Sequence, residues 1–337
     1  MHPVLSVVVP VFNARPYLEE CLASLQNQSL TDIEIVVVDD GSTDGSADLA
    51  HRIAADDRRI RVLEVTHGGI GRARNLGVEA SSPTPYLAFA NSDDIVTPEA
   101  YVKPIDLLER SGSDFATGNV QRLADGAVSQ AWQYAGFLGT RVGAHITDDM
   151  SLLTDRMAWN KVFRRSFWDR RRLAFPEGML CEDSPLTIPA HFLADSVDVV
   201  HEHVYIWRVR VGSISQRLTE ARGAADRVAG CAHVSGFLAT AEDGRWAAYK
   251  DRYDRSVLTD DLVDLLRVIP DGDDTFRECF VDRAAHLVGS FAPGVVDSLP
   301  DGLRRQWSLV RERRIAELLQ SIAREGVPCQ APEGSAR

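Results

Sequence analysis

Short apolar runs alternate with amphipathic stretches along the first 95 residues of the chain. The apolar runs are typical of strands, and the first of them is continuous and rich in β-branched residues, as in a strand that is covered on both faces. They predict strands at residues 4–10, 33–38, 60–65 and 86–90. The stretches between them repeat at helical spacing and predict a helix capped by Asn13, a short helix carrying Leu49 and Ile53, and a helix at 71–80 with Ala73, Leu76 and Ala80 inward.

Strands that alternate with helices need crossover connections, so this pattern predicts an α/β fold with a mainly parallel sheet and helices on both faces. The carboxyl ends of the strands then meet at one edge, where open α/β sheets bind their ligands. Asn13 follows the first strand, Asp40 follows the second and residues 91–94 follow the fourth. We therefore expect polar groups from distant parts of the sequence to converge on one cleft.

The pattern changes twice further along the chain. From residue 97 to 214 it is irregular, with a helix to about 110, strands at 115–121 and 127–134, and a helical stretch at 149–168. Such a mixed segment is typical of the second wall of a cleft. After residue 215, amphipathic stretches predict helices at 217–239, 243–269, 274–289 and 301–325.

The composition is that of an ordinary globular protein, with 337 residues, 45% of them hydrophobic and 26% charged. A formal net charge of -12 argues against broad nucleic-acid binding. The five cysteines are widely spaced without a Cys-x-x-Cys pair, which favours a reducing compartment over a disulfide framework or a zinc site. The amino end resembles no secretory signal, and no apolar run approaches the roughly 20 residues of a membrane span. We expect a cytoplasmic protein whose membrane contact would be peripheral.

Asp93 and Asp94 are adjacent carboxylates at the end of the fourth predicted strand. They repel each other and lose solvation when a cleft closes, so they need a cation, hydrogen-bond donors or bulk water. One interpretation is a divalent metal that holds a nucleotide diphosphate. The other is that the two aspartates cap a helix starting near Thr97.

Known phosphate-binding loops are absent from the expected positions. Residues 10–16, after the first strand, lack the glycines of a Rossmann dinucleotide loop. The later pair Gly69 and Gly71 has Arg74 where a third glycine would stand, and no Walker loop is present. A diphosphate at this sheet would therefore be met by carboxylates and a divalent ion.

Four motifs occur in order along the chain: Val-Val-Val-Pro-Val-Phe-Asn at 7–13, Val-Asp-Asp-Gly-Ser-Thr-Asp at 38–44, Gly-Arg-Ala-Arg-Asn-Leu-Gly at 71–77 and Asn-Ser-Asp-Asp at 91–94. Together they resemble the amino-terminal half of family 2 glycosyltransferases of the GT-A type. Segments 159–163, 175–178 and 181–183 resemble the acceptor half of bacterial members, and the likeness covers roughly residues 4–215.

The resemblance implies a division of the chain into functional parts. A nucleotide-binding half would occupy residues 1–95 and an acceptor-binding half residues 96–215. Beyond the likeness, we expect a C-terminal helical region at 216–326 and a flexible tail at 327–337.

The resemblance also assigns nucleotide contacts. Pro10, Phe12 and Asn13 would line the nucleoside pocket, and Asp40 would accept a hydrogen bond from uracil. Further nucleotide or diphosphate contacts would come from Arg74, Asn91, Ser92, Arg210 and Ser213. Each assignment has a structural alternative: a strand-end turn for 10–13, helix capping for Asp40, a surface salt bridge for Arg74 and the wet face of an edge strand for Arg210.

Catalysis, by the same resemblance, would depend on two carboxylates. Asp93 would bind manganese or magnesium at the diphosphate, and Asp183 would be the base of an inverting transfer. Asn91 departs from the usual Asp-x-Asp pattern and adds no negative charge, so metal affinity would be weaker. Asp183 has the alternative of capping the helix that follows it.

Contacts to the sugar or the acceptor are implied for Trp159, Lys161 and Glu182, although a buried Trp with a Lys reaching the surface is an equally ordinary arrangement. The basic stretches 164–172 and 303–319 would meet an anionic polymer or a lipid surface, or would be solvated helix faces.

The resemblance implies an inverting glycosyltransferase that moves a sugar from a UDP-sugar to a hydroxyl acceptor in polysaccharide or cell-wall polymer synthesis. The acceptor would be polymeric or lipid-linked, the enzyme would lie in the cytoplasm or on the inner face of the membrane, and the helical region would dimerise, support the cleft or touch membrane. The alternative is a catalytically silent scaffold that binds nucleotide sugars and assembles through its helical region.

Overall fold

A computed structural model describes residues 2–210 and 219–327 of the protein. The chain divides into two compact units, Met1–Arg210 and Val211–Arg337. The predicted boundary between 215 and 216 lies outside the described residues, as does the predicted tail at 327–337 apart from Val327. The predicted boundary between 95 and 96 is crossed by a single sheet.

The sheet of the first unit is mixed but mainly parallel. Its strands are β1 Leu5–Val11, β2 Ile33–Asp39, β3 Ile60–Glu64, β4 Tyr86–Phe89, β5 Ile95–Val96, β6 Phe115–Ala124, β7 Ala127–Gln130, β8 Arg141–Ala144, β9 Lys161–Arg164 and β10 Val197–Arg208. Their order is β3-β2-β1-β4-β9-β6-β10-β5, with β7 beside β6 and β8 beside β10. The first four strands pair in parallel, whereas β9 lies antiparallel between β4 and β6. The predicted mainly parallel α/β sheet is confirmed.

The helices of the first unit are α1 Arg15–Gln26, α2 Ser46–Asp56, α3 Ile70–Ala80, α4 Val102–Ser111, α5 Arg165–Arg171 and α6 Ser184–Leu193. The first three match the predicted helices, with differences in detail. The capping position of α1 is Ala14, not Asn13. In α2 the buried residues are Ser46 and Ala50, while the predicted Leu49 and Ile53 are half-buried. In α3 Ala73 is buried, while Leu76 and Ala80 are half-buried.

Two glycines let α3 approach its neighbours closely. A Cβ atom at Gly77 would lie 2.3 Å from Cγ1 of Val8 in β1, and one at Gly71 would lie 2.3 Å from the carbonyl oxygen of Pro176. Asn75 completes the second contact, because its side chain bonds both the N–H and the carbonyl of Phe175 at 2.9 Å. The 71–77 motif therefore joins the sheet to the segment that precedes α6.

The helix predicted at 149–168 is wrong. This stretch contains a 3-10 turn at Met150–Thr154, then β9, and then the start of α5. Val162 and Phe163 of β9 are buried between β4 and β6. A short apolar run of this kind does not distinguish a strand from a helix by its periodicity.

The described part of the second unit is helical. Its helices are α7 Ala221–Thr240, α8 Ala247–Ser256, α9 Val263–Val268, α10 Asp274–Gly289, α11 Pro293–Asp297, α12 Asp301–Arg311 and α13 Ile315–Glu325. The helices predicted at 243–269 and 301–325 are each interrupted, the first by a π-helical turn at Val257–Asp261 and the second around Arg313, whose φ is 58°. Within 2–210 and 219–327, every helix is too short or too polar to traverse a lipid bilayer.

Arginines of both basic stretches, 164–172 and 303–319, form ion pairs with acidic side chains of the same unit. In the first, Arg165 pairs with Asp169 and Arg170 pairs with Asp114. In the second, the pairs are Arg304–Asp301, Arg305–Glu325, Arg313–Asp282 and Arg314–Glu317. This pairing favours solvated helix faces over surfaces that attract an anionic polymer.

Candidate active site

The turns that follow β1 and β2 are fastened to each other at the carboxyl edge of the sheet. The Asn13 N–H donates to Ser42 Oγ at 2.9 Å, and Asn13 Oδ1 accepts from the Thr43 N–H at 2.9 Å. Asn13 has a φ of 50°, a left-handed conformation that asparagine adopts more readily than most residues. Pro10 is buried in β1 beside Val38. Residues 10–13 therefore form the strand-end turn named as the structural alternative, and this turn lies next to Asp40.

Asp40 is a buried carboxylate beside an exposed aromatic pair. Its two oxygens accept the N–H groups of Gly68 and Gly69 at 2.8 Å, so Asp40 does not cap α2. His67 Nδ1 lies 2.9 Å from the same carboxylate, and the His67 ring stacks on Phe12 at 4.2 Å. Phe12 is 46% exposed. A flat aromatic surface next to a hydrogen-bond acceptor is suited to a planar base.

Asp39 has an acceptor atom that sequence reasoning missed. Its Oδ1 accepts from the Ser42 N–H at 2.8 Å, while Oδ2 is buried and has no hydrogen-bond partner among the described residues. A buried carboxylate oxygen without a donor is costly, so this atom can receive one from a ligand. The sequence signal was the position of Asp39 at the end of β2.

Arg74 lies at the centre of the site although its side chain is fully buried. Nη1 donates to Asp183 Oδ1 at 2.8 Å and also to Glu182, while Nη2 donates to Asn91 Oδ1 at 2.8 Å. The guanidinium also lies 4.8 Å from the ring centre of Phe175. The alternative of a surface salt bridge is wrong. Three distant segments, α3, the end of β4 and the start of α6, meet at one side chain.

Glu182 and Asp183 differ in their surroundings. The Glu182 side chain is 4% exposed and that of Asp183 is 17% exposed. Burial, reinforced by the charge of Asp183, raises the pKa of Glu182 to about 8 against the opposing effect of Arg74. Asp183 directly precedes α6, but its carboxylate makes no capping hydrogen bond, so the capping alternative is wrong. Asp183 is the carboxylate of the pair that solvent or an acceptor can reach.

The turn after β4 is held by a network around Asp94. This carboxylate accepts the Arg208 N–H at 2.7 Å, the Tyr205 hydroxyl at 2.9 Å and Asn91 Nδ2 at 3.1 Å. Burial, followed by the charge of Asp93, raises the pKa of Asp94 to about 8. The capping interpretation is wrong, since α4 begins at Val102.

Asp93 is the accessible carboxylate of this turn, and Ser92 beside it is buried. The Asp93 side chain is 19% exposed, and its Oδ2 accepts from Arg210 Nε at 2.7 Å. The ring of Tyr17 in α1 lies 5.3 Å from the Arg210 guanidinium, a contact that no sequence signal indicated. Ser213, the other predicted diphosphate contact, lies outside the described residues.

The donor set fits a metal site that a substrate completes. The described ranges contain no group of three or more His, Cys, Asp or Glu side chains placed to hold a metal ion. Magnesium, however, is commonly bound by one or two carboxylates together with substrate phosphates. Asp93, the accessible carboxylate of the β4 turn, would supply the protein ligand for such an ion.

Lys161 and Trp159 are both buried. Lys161 is fully buried and bonds Asp155 Oδ1 at 2.7 Å, and the other oxygen of Asp155 lies 3.0 Å from His191 Nε2. The Lys161 side chain has no exposed area, so it is not available for the predicted contact with sugar or acceptor. The alternative, a lysine that reaches the surface, is wrong for the same reason. Trp159 is 6% exposed and stacks on Tyr205 at 4.2 Å.

Comparison with solved structures identifies the fold. A solved structure of S. aureus TarS 1-349 in complex with UDP-GlcNAc matches this one with a TM-score of 0.78 at 19% identity, over 99% of this chain and 98% of that chain. The first unit thus has a GT-A type fold.

Sequence comparison shows similarity to glycosyltransferases. The model of glycosyl transferase family 2 matches residues 6–171. The uncharacterized glycosyltransferase EpsJ of Bacillus subtilis is 30% identical over 228 residues, 64% of this chain and 64% of EpsJ. The poly(ribitol-phosphate) beta-glucosyltransferase of Bacillus spizizenii is 28% identical over 211 residues, 61% of this chain and 32% of that protein. The chain matches less than two thirds of the length of either relative, and the match to the family 2 glycosyltransferase model is confined to residues 6–171.

Proposed function

We propose that the protein is an inverting glycosyltransferase that moves a sugar from a UDP-sugar to a hydroxyl acceptor in polysaccharide or cell-wall polymer synthesis. The convergence at Arg74 carries this proposal, because it places Asp183 beside the β4 turn that bears Asp93. The structure of TarS with UDP-GlcNAc supports the donor class, and the relative named for poly(ribitol-phosphate) supports a polymeric acceptor.

In the proposed reaction Asp183 is the general base. The acceptor hydroxyl attacks the anomeric carbon from the side opposite the leaving diphosphate, and Asp183 takes its proton as the new C–O bond forms. The bond from the anomeric carbon to the phosphate oxygen breaks, and UDP leaves with the electron pair. Burial raises the pKa of Glu182 to about 8, and Asp183 is the more exposed carboxylate of the pair.

The donor side is formed by the turns of β1, β2 and β4. Phe12 and His67 would support the base, and the carboxylates of Asp39 and Asp40 would accept its N–H. Asp93 would hold a manganese or magnesium ion, which offsets the charge of the departing diphosphate. Arg210 lies against Asp93 and would meet the same diphosphate, with Ser213 as a further predicted contact.

Calorimetric titration of the full chain with UDP, with and without manganese, tests this function when it is followed by a turnover assay on a panel of UDP-sugars. We expect manganese-dependent UDP binding and release of UDP from at least one donor. A nucleotide-sugar-binding scaffold is the second candidate, because Asn91 adds no charge to the metal side. Tight UDP binding without turnover of any donor and acceptor would favour the scaffold, and absence of UDP binding would contradict both.

A further inference from the structure

One continuous hydrogen-bonded chain runs from the proposed base to the proposed metal side of the site. Asp183 accepts from Arg74 Nη1 at 2.8 Å, Arg74 Nη2 donates to Asn91 Oδ1 at 2.8 Å, and Asn91 Nδ2 donates to Asp94 at 3.1 Å. Its members come from α6, α3 and the β4 turn, which are far apart in the sequence. We propose that Arg74 and Asn91 are positioning residues that fix Asp183 relative to the turn bearing Asp93. The proposal deepens the function above, on which its catalytic meaning rests.

The geometry of Arg74 gives the chain its rigidity. A guanidinium is planar and presents its N–H groups in a fixed fork, so two partners on different terminal nitrogens are held at a defined separation. The Arg74 side chain is 1% exposed, which removes water as a competing partner. Phe175 lies under its plane at 4.8 Å and limits its rotation. A displacement of Asn91 is therefore transmitted to Asp183 without a direct contact between the two.

Asn91 is chemically suited to the middle of this chain. Its amide accepts from Arg74 through the oxygen and donates to Asp94 through the nitrogen, and both groups are in use. An ionised aspartate at this position would only accept, and it would add a negative charge to the turn that bears Asp93. The departure from Asp-x-Asp thus exchanges one negative charge for a directional link.

A double-mutant cycle on the full chain tests the link without any transfer assay. The midpoints of thermal unfolding are compared for Asn91→Ala, Asp183→Ala and the double variant. Because each single change displaces the shared guanidinium and so already weakens its contact with the other residue, the double variant should lose less than the sum of the single losses. The control cycle combines Asn91→Ala with Lys103→Ala, whose ammonium pairs with Glu99 and Glu202, and it should be additive.

A local probe completes the test. Cys181 directly precedes Glu182 and is partly exposed, so its rate of alkylation reports the mobility of the 181–183 segment. Asn91→Ala should raise this rate several-fold, read by mass spectrometry of the Cys181 peptide, and Lys103→Ala should leave it unchanged. An additive Asn91–Asp183 cycle together with an unchanged Cys181 rate would overturn the proposal. A wild-type protein that transfers no sugar would remove the proposed function and leave the link intact.

Discussion

Asp183 and Glu182 show how neighbouring residues of similar chemistry acquire different roles from burial. Asp183→Asn keeps the shape of the side chain and its acceptor for Arg74, yet it cannot take a proton. Transfer should therefore fall by about 100-fold or more, while UDP affinity changes little. Steady-state kinetics and calorimetry measure the two quantities. Asp195→Asn, at a side chain that is 85% exposed, is the matched control. Comparable transfer in the Asp183 variant would exclude Asp183 as the base.

Asn91 provides a second prediction at this scale. Asn91→Asp removes the donation to Asp94 and places a third carboxylate in the turn. Its unfolding midpoint in EDTA should be lower than that of the wild type, and the rise on adding manganese and UDP should be larger. Asn91→Ala is the control, since it loses the same hydrogen bond without gaining a charge. An Asp variant with the wild-type response to manganese would contradict the assigned role of this position.

The sequence located the residues at the edge of the sheet but not their partners. Asp40 and Asp93 could be placed at this edge because each follows a strand whose end is marked by its apolar pattern, whereas Asp183 was assigned only through the family resemblance of residues 181–183. The burial of Lys161 could not, because its partners Asp155 and His191 come from a turn and a helix that only the tertiary fold brings together. Isolated lysines are solvated, and no local pattern overrides that expectation.

At the scale of elements, α3 depends on its glycines. Gly71→Ala should gain helix propensity of up to about 1 kcal/mol, but the new Cβ would lie 2.3 Å from the Pro176 carbonyl oxygen. Because this neighbour is backbone, α3 and the 175–177 segment must separate, and the unfolding midpoint should fall by several degrees. Gly236→Ala in α7 is the control, because its Cβ meets nothing within 4 Å, and it should be neutral or stabilising. A stabilised Gly71 variant would show that the contact is loose.

The elements of the first 95 residues could be predicted because β1, β2 and β4 are largely apolar, buried runs and the helices between the strands show amphipathic spacing. Strand β9 could not be predicted, because it has only four residues and α5 begins directly after it. The apolar positions of the strand therefore cannot be separated from those of the helix. The breaks after α8 and α12 were missed for a related reason, since a π-helical turn or one left-handed residue leaves amphipathic spacing intact.

At the scale of the whole molecule, Glu182 links stability to pH. Its pKa is about 8 in the folded protein against an ordinary value of 4.5, so between these values the folded state retains a proton that the unfolded state has lost. This term therefore lowers stability as pH rises from about 4.5 to 8, and it is constant above that range. Glu182→Gln should match the wild type near pH 5 and exceed it near pH 8 by a few degrees in unfolding midpoint.

Glu79→Gln serves as the control for this pH series, because Glu79 is exposed on α3. The difference in unfolding midpoint between the Glu79 variant and the wild type should stay constant from pH 5 to 8. If the Glu182 variant also differed from the wild type by a constant unfolding midpoint across this pH range, the raised pKa of Glu182 would be contradicted.

The position of β9 has a consequence for synthesis of the chain. Strand β4 emerges from the ribosome long before residues 161–164, which are its partner on one side. Until then the nascent polypeptide presents an apolar strand with an unpaired row of backbone groups, a template for pairing with other chains. A fragment that stops at residue 95 would keep this unprotected margin, so we expect it to aggregate, whereas a fragment that extends through residue 210 closes it.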